Sequence, residues 1–152
     1  MEKSKPQASM KAALLAALAI GSSAACAETT SDIACFSSDG TNPTHFEMRT
    51  WFDRDTRFSF ASIRYAKAKA AIPLVLKSAV AQARGHGQQD EMTTTWLEVA
   101  DGAVSGTYRM VHQGAEVGSM TYTNARTHKT FEFFLDTHVD STLEGGCIFN
   151  GS

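Results

Sequence analysis

Proline is scarce in this sequence, with 3 among 152 residues, and cysteine is equally scarce, with 3. So little proline excludes a collagen-like or Pro-rich extended chain. Three cysteines are too few for a disulfide-dense scaffold, and no C-x-x-C spacing is present for zinc or redox work. There is no basic excess: 14 Lys and Arg face 16 Asp and Glu, a formal charge of −2. A protein of that charge has no footprint for nucleic acid or an anionic membrane. No apolar run reaches the ~20 residues that a membrane helix needs. G-x-S-x-G, H-x-x-x-H and H-E-x-x-H are all absent, and there is no internal repeat. What remains is an ordinary globular composition, 43% hydrophobic and 20% charged. The length suits one domain.

The N-terminus reads as an address. Lys3, Lys5 and Lys11 precede a run of Ala, Leu and Ile from Ala12 to Ile20. Gly21, Ser22 and Ser23 break that run, and Ala25-Cys26-Ala27 has the small-x-small form of a cleavage site. This order predicts a secretory signal peptide over 1–27 and a single domain over 28–152. Cys26 allows the alternative of a lipid-anchored protein. Such sites carry a branched apolar residue three positions before the cysteine, where this chain has Ser23. Free export to the periplasm of a Gram-negative cell is therefore the expectation. Cleavage takes away three lysines and one glutamate, leaving 11 basic against 15 acidic residues, or −4. It also leaves two cysteines, Cys35 and Cys147, which should pair in an oxidising compartment. Such a bridge would place the first and last strands side by side, or nearly so.

From Thr93 onward the pattern is a meander. Thr94 to Val99 is strand-forming, and Asp101-Gly102 is a strong two-residue hairpin signal. Ala103–His112 follows, with Val104, Tyr108 and Met110 read on alternate positions. Val117–Thr123 and Lys129–Leu135 are further strands, the latter alternating Phe131, Phe133 and Leu135 with polar residues and Phe134. Earlier, Ile33–Phe36 fits a short strand. Phe46, Met48, Thr50 and Phe52 alternate with Glu47, Arg49 and Trp51. Residues 73–84 fit either a short helix between Pro73 and Gly85 or a strand; the flanking strands favour the strand. Cys147–Phe149 reads as the last strand. About eight strands predict an all-β, antiparallel meander barrel or sandwich, closed by an N-to-C-terminal disulfide.

No chemical site stands out. Histidines 112, 128 and 138 lie at strand ends and would hold zinc only if the fold brought them together; no metal or cofactor site is expected. Glu98 with Asp101, and Glu132 with Asp136, are acid pairs better read as a solvated face. Trp51, Trp96, Tyr108, Tyr122, Phe131 and Phe133 would either fill a barrel or line one that holds an apolar ligand. The remaining short motif is Ser105-Gly106-Thr107-Tyr108. Its glycine admits close backbone approach, and its Ser and Tyr supply hydroxyls and an aromatic plate, or else it is strand packing with Gly106 under an aromatic ring.

At those four residues, and in its general build, the chain resembles the periplasmic lysozyme inhibitors of Gram-negative bacteria. Those small exported β-proteins share a Ser-Gly motif followed closely by Tyr, on a loop that enters the lysozyme cleft. The resemblance implies that Ser105, Gly106 and Tyr108 bind a partner, with Ser105 and Tyr108 facing the enzyme's catalytic carboxylates. An acidic mature chain would help it meet a cationic lysozyme. The expected function is thus a non-enzymatic, exported binding protein: an inhibitor of a lysozyme-type cell-wall hydrolase, or an immunity protein against a periplasmic toxin. The alternatives are a small barrel for an apolar ligand and a structural or assembly role.

Overall fold

The computed structural model describes residues 28–114 and 116–149. The expected leader, with Cys26, lies outside the described residues. Eight strands form a closed antiparallel barrel in chain order: β1 (Thr29–Ser37), β2 (His45–Asp53), β3 (Phe58–Tyr65), β4 (Ile72–Gln82), β5 (Glu91–Ala100), β6 (Ala103–Gln113), β7 (Glu116–Asn124) and β8 (Thr130–Leu135). A small separate hairpin, β9 (Ser141–Thr142) and β10 (Gly146–Cys147), follows. Among the described residues there is no helix, so the helical reading of 73–84 gives way to β4. The reason is tertiary. Strands β3 and β5 each need a ladder partner, and Leu74 is buried between Ala61 and Glu98.

Alternation sets the two faces of the wall. Phe46 and Met48 of β2 point inward with Phe36, Ile63, Leu74, Trp96, Tyr108, Met120 and Phe133 to form the core. Phe46 sits at its centre. Its ring stacks on Phe36 at 5.2 Å and meets Phe133 and Tyr108 edge-on at 4.9 and 5.9 Å. Three bulges break the register, at Lys77, at Ser105 and at Gly118. The second one turns Val104 outward, so it does not share the face of Tyr108 and Met110 as simple alternation predicts.

The barrel closes on a short seam. Strands β1 and β8 pair only through Phe36↔Leu135 and Ser37↔Phe134. The β9–β10 hairpin straps the outside of that region. The Cys35–Cys147 disulfide anchors it, with Cα atoms 5.9 Å apart. The last strand is therefore not a barrel member, and it is Gly146–Cys147 rather than 147–149.

Beneath the strap lies a buried carboxylate. Glu47 points outward from β2 but is only 3% exposed. Arg64 donates to both its oxygens at 3.0 and 2.8 Å, Arg49 to one at 3.0 Å, and the Cys147 N–H to the other at 2.9 Å. Arg49 also donates to the Leu143 carbonyl at 2.6 Å. Burial alone would raise the Glu47 carboxyl. The hydrogen bonds from Arg64, Cys147 and Arg49 outweigh it and hold the group below its ordinary 4.5. The resulting stabilisation is complete above that value and is lost as pH falls through the lower folded value. Glu47→Gln should cost about 2 kcal/mol at pH 7 and flatten this acid limb, since charge-assisted bonds are removed while both arginines keep access to water. Urea unfolding from pH 7 to pH 3 checks it. Parallel decline of the variant and the parent would exclude Glu47 as the source.

Candidate functional site

The two ends of the barrel differ in chemistry. At one end β5 and β6 carry Glu98, Ser105, Gly106 and Tyr108 into a closed knot. Tyr108 is 0% exposed. Its hydroxyl donates to Glu98 Oε2 at 3.1 Å and so accepts from Tyr65 at 2.7 Å. Ser105 Oγ and the Tyr122 hydroxyl donate to Glu98 Oε1 at 2.7 and 3.2 Å. One buried carboxylate thus takes three hydroxyl donors. Burial, then the neighbouring Tyr65 and Glu98, pushes the Tyr108 hydroxyl far up. Burial and the Glu98 charge push Tyr122 up to about 12. These hydroxyls stay protonated at physiological pH, so none is an activated nucleophile.

Gly106 has a packing reason. The Tyr122 ring lies against its backbone where a Cβ would stand. The three residues singled out in the sequence are therefore together, but Tyr108 is sealed and Ser105 is turned onto the protein's own Glu98. Their environment is that of a satisfied polar core. The large apolar side chains exposed at this end include Val104 and Phe131.

A serine, a histidine and an aspartate meet elsewhere. Ser37 Oγ donates to Asp136 Oδ2 at 2.7 Å and accepts from His45 Nδ1 at 2.7 Å. A hydrolytic triad needs the histidine between the other two, to take the serine proton. Here the serine is in the middle, its proton goes to the aspartate, and it is 2% exposed. The trio pins the segment after β8 to β1 and β2.

The other end is open. A cup of about 380 Å³ enters the barrel there. Its apolar wall includes Ala34, Met48, Phe52, Trp96, Met110 and Val117. Asp32, Thr50, Ser59, Thr94 and His112 add polar groups. Among the described residues, Trp96 Nε1 and Thr94 Oγ1 are buried side-chain atoms without a hydrogen-bond partner. His112 Nδ1 donates to the Gly114 carbonyl at 3.0 Å, which leaves Nε2 as the ring's other polar atom.

Of the aromatics read as barrel lining, Trp96, Tyr108 and Phe133 are core. Tyr122 and Phe131 cap the closed end, stacked at 6.4 Å. Trp51 holds an outward register position and stacks on Phe60 at 4.8 Å, yet it is also among the residues that line the cup. Histidines 112, 128 and 138 do not converge. His112 is at the cup, His128 is in the β7–β8 turn, and His138 is exposed beside Asp136. Among the described residues no group of three or more His, Cys, Asp or Glu is placed to hold a metal. Glu98 is inside the barrel while Asp101 is exposed on the hairpin, so they do not form an acid pair facing one substrate. Sequence reading missed Asp32, Thr94 and His112 as neighbours. They come from three strands, and only the barrel register brings them to one mouth. The chain matches no family model, no curated protein and no solved structure.

Proposed function

We propose that the protein is an exported, non-enzymatic binding protein that holds a small, mostly apolar molecule in the open end of its barrel. The observation that carries this reading is the cup itself, whose size falls within the range of small-molecule sites and whose wall is largely apolar. Export is supported by the leader pattern over 1–27 and by the disulfide.

The test uses the oxidised mature chain and the dye N-phenyl-1-naphthylamine. Saturable one-to-one binding is expected, with a change in tryptophan emission because Trp96 lines the cup. Ala34→Phe, which fills the cup from the β1 wall, should weaken binding at least tenfold. Absence of saturable binding, or equal binding by Ala34→Phe, would refute the reading.

A second reading is inhibition of a lysozyme-type hydrolase, or immunity to a periplasmic toxin. It is favoured by Val104 and Phe131, 47% and 49% exposed at the end that carries Ser105. On this reading the partner meets that apolar rim, while Ser105 and Tyr108 shape it from within. A cell-wall lysis assay comparing the parent with Val104→Asp separates the two readings.

A further inference from the structure

We infer that the cup selects an organic amine: a cationic head at the rim beside Asp32, with an apolar body against Trp96, Met48 and Met110. The inference rests on the cup reading above and adds the charge of its occupant.

Three observations carry it. First, Asp32 is the one side chain among the described cup residues that bears a fixed charge, and no Lys or Arg lines the cup. Its Oδ1 accepts only the adjacent Ile33 N–H, at 2.9 Å, and no described cation pairs with it. Second, the loops around this mouth are acidic. Two of their three arginines are already paired, Arg54 with Glu28 and Arg84 with Glu91. That leaves Asp32, Asp53, Asp55, Asp90 and Glu116 against Arg57. A cleft lined by one sign of charge concentrates the opposite sign. A fatty carboxylate would meet that field with no Lys or Arg in the cup lining to receive it, whereas an ammonium would gain a partner. Third, Trp51, Phe52 and Trp96 line the cup, and aromatic rings favour a nearby cation over an anion.

The experiment competes octylamine, octanol and octanoate against N-phenyl-1-naphthylamine at pH 7 on the oxidised mature chain. The three share an eight-carbon skeleton and differ in head group, octanoate's being its terminal carbon. Octylamine should bind about tenfold tighter than octanol, and octanoate about tenfold weaker, for a rim charge partly screened by water. The octylamine advantage should shrink in high salt. Asp32→Asn should bring octylamine down to the affinity of octanol and leave octanol unchanged. Asp32 is exposed and bonded only locally, so this variant should fold as the parent does. If octylamine binds no tighter than octanol, or keeps its advantage in Asp32→Asn, the inference is wrong and the cup reading survives. If dye binds but none of the three displaces it, the amine is wrong as occupant. If the dye itself does not bind, both fail.

Discussion

Tyr108→Ala should destabilise the protein by about 4 kcal/mol, the range for deleting a large buried aromatic. The ring is at the centre of the closed end, 4.6 Å from Tyr122 and 5.9 Å from Phe46. Alanine leaves a void there and removes a donor from Glu98, which is 7% exposed and cannot recruit bulk water in its place. Tyr65 loses its partner in the same step. Tyr108→Phe keeps the ring and gives up only the hydroxyl, so it should cost about 1–2 kcal/mol. Urea unfolding of the two variants separates packing from hydrogen bonding. A loss below about 1 kcal/mol in Tyr108→Ala would mean that the closed end repacks freely. The comparison also governs how partner binding is read. Loss of inhibition in Tyr108→Ala alone would report unfolding, whereas Val104→Asp leaves the knot in place.

Removing the disulfide should cost as much or more. Cys35 and Cys147 are 112 residues apart, and cross-linking over such a span restricts the unfolded chain by about 4.7 kcal/mol in the chain-entropy model. Cys35→Ser with Cys147→Ser, compared with the parent in urea, measures it. The loss should be concentrated at the seam. Strands β1 and β8 share two residue pairs, whereas β1 and β2 share nine. The strap carries Cys147 to Glu47 and Leu143 to Arg49, so freeing it also loosens the buried ion cluster. Amide exchange at Phe36 and Leu135 should accelerate more than at Met48 or Ile63. Uniform acceleration would place the effect in the unfolded state alone.

Much of the wall was legible because local chemistry and tertiary need agree there. Asp101-Gly102 takes positive φ at both positions, 51° and 77°, as a tight hairpin requires. Phe131, Phe133 and Leu135 keep strict alternation in β8, and Cys35 with Cys147 was the only pair left after the leader. Legibility failed where one residue is inserted. The bulge at Ser105 reverses Val104, and although the adjacent Gly106 admits a bulge or a close packing contact, the sequence does not say which. It failed again for the cup, which gathers Asp32, Thr94 and His112 from strands β1, β5 and β6. Local pattern can say that a residue faces inward, but not which end of the barrel it reaches. The Ser105–Tyr108 motif was visible as letters, while its burial depended on Glu98, Tyr65 and Tyr122 arriving from elsewhere.

The bulge at Lys77 has a mechanical consequence for the mouth. The ladder between β3 and β4 ends at Phe60↔Val75, while β4 and β5 stay paired out to Gln82↔Glu91. Beyond the bulge, the far part of this hairpin is held along one edge only, and residues 79–90 are exposed throughout. Opening it breaks no core contact, so its free energy lies at the low end of the molecule's range. Strand β1 is likewise paired to β2 along its whole length but to β8 only at Phe36 and Ser37, so at the mouth it too has one open edge. The rim at this end therefore carries two strand edges that the ladders leave open, one along β1 and one along β4 beyond Lys77, where the wall at the other end is continuous.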